Sequence, residues 1–126
     1  MVLGIGVDLI ETNRVQDSID RFGQRFLERV FTADEIGYCL RKKKNSAESF
    51  AARFAAKEAG AKALGTGISR GVSWKELEVR REAGRRPTLH LAGRAAELGE
   101  VMGVRRIQLS LTHSQQMSMA MVVMED

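Results

Sequence analysis

Ser49-Phe50-Ala51-Ala52-Arg53-Phe54-Ala55-Ala56-Lys57-Glu58-Ala59-Gly60-Ala61-Lys62-Ala63-Leu64 reads as one helix, and the rest of the fold is organised around it. A single carboxylate, Glu58, stands among three cations, Arg53, Lys57 and Lys62, and nearly every other position is small or aromatic. At about 100° per residue, Arg53 and Lys57 are neighbours, as are Glu58 and Lys62. Phe50, Phe54, Ala61 and Leu64 form an apolar stripe, which brings Glu58 out beside Phe54 at the edge of a core. The alanine-rich remainder implies close packing on most sides. Arg53 and Lys57 are like charges one turn apart, an arrangement that costs a few tenths of a kcal/mol unless an anion lies between them. A carboxylate flanked by cations at a core edge suits a divalent metal and a phosphate together.

Upstream, Val2 to Glu11 reads as a strand with Leu3, Ile5, Val7 and Leu9 on one face and Gly4, Gly6, Asp8 and Ile10 on the other. The two glycines leave room on the Asp8 face for another backbone or a ligand. Asn13 can cap a helix to about Val30, with Val15, Ile19, Phe22, Phe26 and Val30 as its apolar stripe. Thr32-Ala33-Asp34-Glu35 is a capping box opening a second helix through about Lys43.

Downstream, Gly65-Thr66-Gly67 ends the central helix, with Gly65 as its C′ residue. A hairpin follows, Trp74–Arg81 and Thr88–Leu91, turning through Ala83-Gly84-Arg85-Arg86-Pro87. A short helix covers roughly Arg94 to Met102, and two alternating strands, Arg105–Thr112 and Met117–Met124, flank His113-Ser114-Gln115-Gln116. The expected fold class is α+β, a mostly antiparallel sheet packed against a few helices, with residues 1–126 forming a single domain.

The 126 residues are 44% hydrophobic and 29% charged, which excludes a disordered chain. Twenty Lys and Arg against 16 Asp and Glu give a net charge of +4, favouring an anionic partner. One cysteine, Cys39, excludes an internal disulfide framework and fits a reducing compartment; with only two histidines it also argues against structural zinc. There is no apolar run of membrane-spanning length and no basic, signal-like start, so a cytoplasmic protein with no membrane association is expected. With one Tyr, one Trp and five Phe, the last mostly in helices, the sheet lacks the stacking aromatics of a nucleic-acid module. A non-catalytic adaptor that docks acidic helices would leave Asp8 and Glu58 dispensable.

Asp8 ends an otherwise apolar strand, where it can cap a turn or ligate a hard metal. Mg²⁺ is typically bound through one or two carboxylates plus water and substrate phosphate, and Asp8 with Glu58 would supply that pair. Arg53, Lys57 and Lys62 can form a solvated face or bind phosphate, and the Gly65–Gly67 amides could add to a phosphate cradle. The glycine loop is not a Walker motif, because no Gly-Lys-[Ser/Thr] follows. His113 can be a turn residue or a general base. His90 reads as structural and Cys39 as a small semi-buried residue. Arg14, Arg21 and Arg25 map to one side of the Asn13–Val30 helix, a surface suited to docking an acidic partner. The six methionines, four of them between Met117 and Met124, suit core or oligomer packing.

Taken in order, Gly4-Ile5-Gly6-Val7-Asp8-Leu9-Ile10-Glu11, Phe31-Thr32-Ala33-Asp34-Glu35, Phe54-Ala55-Ala56-Lys57-Glu58-Ala59 with Lys62-Ala63, and Leu109-Ser110-Leu111-Thr112-His113-Ser114 resemble the holo-acyl-carrier-protein synthases. These are the small bacterial class of 4′-phosphopantetheinyl transferases, and the resemblance covers nearly the whole chain. It implies their fold and their reaction. Phosphopantetheine passes from coenzyme A to a serine of apo acyl carrier protein, releasing adenosine 3′,5′-bisphosphate, in support of fatty acid biosynthesis. It implies that Asp8 and Glu58 hold Mg²⁺, and that Arg53, Lys57, Lys62, Gly65, Thr66, Gly67, Pro87, Ser110, Thr112 and His113 line the coenzyme A site. Mg²⁺, Lys57 and Lys62 would neutralise the pyrophosphate. Glu58 through metal-bound water, or His113, would take the serine proton. The resemblance further implies a homotrimer with active sites between subunits, and an Arg14, Arg21 and Arg25 surface for the acidic helix of the carrier protein. Two departures stand out: Gln108 lies near a position where the family commonly has His, and Gly84-Arg85-Arg86-Pro87 is one residue longer than the family's Gly-x-Pro turn.

Overall fold

The computed structural model describes residues 1–126. In chain order the elements are β1 (Val2–Glu11), α1 (Thr12–Phe22), α2 (Gln24–Val30), α3 (Ala33–Arg41), α4 (Ser46–Ala63), β2 (Leu77–Arg80), β3 (Thr88–Leu91), α5 (Gly93–Met102), β4 (Arg106–His113) and β5 (Met117–Glu125), with 3₁₀ turns at Lys43–Asn45 and Trp74–Glu76. The strands form a three-stranded antiparallel sheet, ordered β1-β5-β4, and a separate β2-β3 hairpin. The α+β class expected from the pattern is the one observed.

The central helix packs on β1 backbone to backbone. A Cβ at Gly4 would collide with the Ala63 carbonyl, and one at Gly6 with the Ala59 carbonyl. The space that the two glycines leave is therefore filled by α4, whose alanines at these points allow the approach. The outcome for β1 is unusual: its glycine side faces the core, while Ile5, Val7 and Leu9 face outward, 60%, 46% and 60% exposed. Across the register, Val7 pairs with Met121 and Leu9 with Met119, both also exposed. Met124, on the opposite side of β5, is fully buried.

Two cores meet at α4. One joins its alanines to Ala120, Val122 and Met124 of β5 and to Leu77, Val79 and Leu89 of the hairpin. The other gathers Val15, Leu27, Val30, Phe31, Cys39 and Phe50, with the Phe31 and Phe50 rings 4.9 Å apart. Cys39 is fully buried rather than semi-buried.

Several boundaries differ from the sequence expectation. The Asn13–Val30 helix is two helices, broken at Gly23, whose φ of 57° and ψ of −132° fit neither. Phe22 is consequently exposed instead of lying in the stripe. Asn13 is not a cap; Glu11 occupies that position without a side-chain bond. The Thr32/Glu35 capping box forms with both reciprocal bonds, but α3 ends at Arg41. The central helix starts at Ser46, and Gly65, at φ 86°, follows its end. Trp74 belongs to a 3₁₀ turn instead of a strand, because the Ser73/Glu76 capping box winds the chain before Leu77 extends it.

Candidate active site

Asp8 projects on the glycine side of β1, where the close helix–strand contact delivers it to α4. Its Oδ1 accepts from Lys62 Nζ at 3.1 Å, and Lys62 also donates to the Val7 carbonyl at 3.0 Å. Glu58, half-buried on α4, accepts from Trp74 Nε1 at 3.1 Å through Oε1. Asp8 and Glu58 line one cleft of about 280 Å³ together with Arg14, Ser18, Phe26 and Phe54. Burial pushes the Glu58 carboxyl above the usual range and Asp8 adds to this, while the Trp74 hydrogen bond and Lys62 partly offset it. Each carboxylate has one oxygen engaged and the other without a protein hydrogen bond. Two hard, partly shielded oxygen donors at an open cleft fit a Mg²⁺ ion that completes its shell with water and phosphate. No group of three or more His, Cys, Asp or Glu side chains converges anywhere in the chain.

Lys57 does not face this cleft. Its ammonium is fully buried, 2.6 Å from Glu35 Oε1, and donates to the carbonyls of Trp74 at 3.1 Å and Leu77 at 2.7 Å. All three ammonium protons are used inside the protein, so the expected contact of Lys57 with phosphate is corrected: the anion it meets is Glu35. Burial lowers the Lys57 pKa, and Glu35 opposes that shift.

The glycine loop is likewise internal. The amides of Gly65, Thr66 and Gly67 donate to the carbonyls of Lys62, Ala61 and Ala61 respectively. These are the carbonyls left unpaired at a helix C-terminus, so the amides close α4 instead of cradling phosphate.

Arg53, 5% exposed, turns to a second cleft, of about 300 Å³, with Tyr38, Lys42, Glu48, Arg81 and His113. Its guanidinium lies 4.1 Å from the Tyr38 ring centre and donates to Ser49 Oγ at 3.0 Å, while its Nε is buried without a partner. Burial acts to raise the Tyr38 pKa, but the Lys42 and Arg53 cations hold it below its ordinary value. His113 Nδ1 lies 3.4 Å from Glu48 Oε2.

A third cleft, of about 770 Å³, brings Pro87 and Ser110 together with Arg81, Arg85, Arg86 and Gln108. Thr112 lies on the exposed outer face of β4, in register with Met119. Arg14, Arg21 and Arg25 are all exposed, but the break at Gly23 removes the helical periodicity that placed Arg25 beside the other two. Arg14 borders the carboxylate cleft, and the Arg21 guanidinium lies 5.7 Å from the exposed Phe22 ring.

The sequence reading missed Trp74, Glu35 and Tyr38. A Trp beside a Ser-x-x-Glu capping box was the available signal for the first, and the capping-box role hid the second. No local pattern marks Tyr38.

A pair of carboxylates beside a lysine, with separate arginine-lined clefts nearby, marks a small α+β protein with charged clefts lined in part by the polar residues of its central helix. The chain belongs to the 4′-phosphopantetheinyl transferase superfamily, whose family model matches residues 4–119. It is 51% identical over 126 residues, all of both chains, to a holo-[acyl-carrier-protein] synthase of Koribacter versatilis. Among solved structures it is similar to holo-[acyl-carrier-protein] synthase from Neisseria meningitidis, with a TM-score of 0.88, 35% identity and full coverage of both chains. It is also similar to the Bacillus anthracis synthase in complex with CoA (3′,5′-ADP), with a TM-score of 0.81 and 36% identity over 98% of this chain and 96% of that one.

Proposed function

We propose that this chain transfers 4′-phosphopantetheine from coenzyme A to a serine hydroxyl of apo acyl carrier protein, with adenosine 3′,5′-bisphosphate as the leaving group, in support of fatty acid biosynthesis. The observation that carries the proposal is the meeting of Asp8 and Glu58 in one cleft, with Lys62 at Asp8, in a chain of this family. The serine oxygen attacks the pyrophosphate phosphorus that carries pantetheine, and the bond to the bridging oxygen breaks. Mg²⁺, held by Asp8 and Glu58, would supply charge neutralisation to the pyrophosphate. Lys62 adds a cation beside Asp8. Glu58 takes the serine proton through a water molecule. His113 is the other candidate base, but it lines a different cleft of the chain.

Arg53 and His113 bind an anionic part of coenzyme A, and Pro87 and Ser110 a further part. Within one chain these clefts are separate from that of Asp8 and Glu58. The exposed apolar face of β1 and β5 supports association into a homotrimer in which clefts of neighbouring subunits combine. Arg14, Arg21 and Arg25 receive the acidic helix of the carrier protein. Residues 1–126 act as one transferase domain in the cytoplasm; no helix is long and apolar enough to cross a membrane.

Intact-mass spectrometry of apo acyl carrier protein incubated with this protein, coenzyme A and MgCl₂ tests the activity. A gain of one phosphopantetheine, abolished by EDTA, is expected. No gain with a folded protein and several carrier proteins would overturn the assignment.

A further inference from the structure

Trp74, which is half-buried, touches Glu58 from a position held at both its backbone and its ring. Its carbonyl accepts from the buried Lys57 ammonium at 3.1 Å. Its ring packs on Phe54, with centroids 6.1 Å apart at 33°, and the Arg29 guanidinium lies 5.8 Å from the same ring. The indole N–H is only a donor, and its partner is Glu58 Oε1 at 3.1 Å. Backbone and ring are thus held by Lys57, Arg29 and Phe54, the last itself lining the cleft, and the N–H is aimed at one carboxylate oxygen within it.

We propose that Trp74 is a positioning residue: its indole N–H fixes the rotation of the Glu58 carboxylate, so that Oε2 is the oxygen presented to a divalent cation. The proposal rests on the assignment of Asp8 and Glu58 as ligands of that cation. A carboxylate already oriented does not have to be ordered when the ion arrives, and removing such outer partners of metal ligands typically weakens binding about 10–100-fold. Lys57 and Glu35 then act at one further remove, by holding the Trp74 backbone.

The chain has one Trp, so its ¹H–¹⁵N spectrum carries a single indole cross-peak, and that peak reports on this hydrogen bond. With coenzyme A present throughout, Mg²⁺ titration should move the indole peak saturably in the native protein. Loss of the free Mn²⁺ signal by electron paramagnetic resonance should show Trp74→Phe binding Mn²⁺ roughly 10-fold more weakly, with its ring packing kept. Native Mn²⁺ affinity in Trp74→Phe, or an indole peak indifferent to Mg²⁺ in native protein that takes up Mn²⁺ in the separate measurement, would overturn the positioning role alone. Absence of any Mn²⁺ uptake that Asp8→Asn removes would overturn the carboxylate assignment, and the proposal with it. Should Trp74→Phe not fold, the native indole peak decides.

Discussion

The carboxylate of Glu35 and the ammonium of Lys57 meet at 2.6 Å with neither side chain exposed. Glu35 Oε1 also accepts from the Thr32 amide at 2.9 Å, and Oε2 from the Val79 amide at 2.8 Å. The pair therefore ties the start of α3 to β2 and α4, with both carboxylate oxygens and all three ammonium protons engaged. Such pairs are costly to break from one side because the survivor is left charged and buried.

Lys57→Met keeps the length of the stem and strands Glu35, so it should lose about 3–5 kcal/mol in urea denaturation. Glu35→Gln combined with Lys57→Met should recover part of that loss, since no charge remains buried. A Lys57→Met protein of native stability with a raised KM for coenzyme A would instead mean that the ammonium contacts phosphate.

This pair also marks the limit of what the sequence discloses. The alternation of β1, the capping box at Thr32, the helix of Glu58 and the Asp8 face are local patterns, and the structure keeps them all. Whether a lysine on a helix meets solvent, phosphate or an internal glutamate depends on what another element brings to it, and Glu35 reads locally as nothing more than a cap. Gly23 broke a helix because its backbone leaves the helical region, although the apolar spacing runs unbroken through it. The outward apolar face of β1 was legible as a face, but burying the glycine side requires knowing that α4 is lined with alanine.

Glu78 should make stability pH-dependent in a defined direction. Burial acts to raise its pKa, but hydrogen bonds from Thr32 and Arg80, with the Arg80 and Lys57 charges, bring it below the usual carboxylate range. A carboxylate depressed in the folded state stabilises above the unfolded value, about 4.3 for Glu, and loses that contribution as pH falls through the folded value. The Tm gap between the native protein and Glu78→Gln should be full at neutral pH and close on acidification below about pH 4. A gap that persists unchanged into acid would assign the effect to packing or the neutral hydrogen bond.

Arg21 and Arg25 stand on the exposed surface of α1 and α2, and neither lines the carboxylate cleft. If an acidic helix docks there, Arg21→Glu with Arg25→Glu should raise the KM for carrier protein at least 10-fold, since like-charge contact costs several kcal/mol and roughly 1.4 kcal/mol is tenfold. The KM for coenzyme A should stay unchanged, and added salt should narrow the gap between native and variant. Equal kinetics with carrier protein would place the docking surface elsewhere.

The separation of the clefts within one chain leads to the most discriminating test of assembly. Asp8 and Glu58 share one cleft while Arg53 and His113 share another. If a donor molecule spans both across a subunit boundary, Asp8→Asn and Arg53→Ala proteins should each be nearly inactive alone. Mixed by partial unfolding and refolding, they should regain activity, because some boundaries then pair an intact carboxylate cleft with an intact arginine cleft. Val7→Asp on the outward face of β1 should abolish both the trimer in sedimentation and the regain on mixing, since a charge there opposes burial of the Val7 and Met121 surface. Activity in the mixture no greater than the sum of the separate variants, with subunit exchange verified by mass, would confine the site to a single chain. Because both variants keep the apolar face intact, that result could not be blamed on failed assembly.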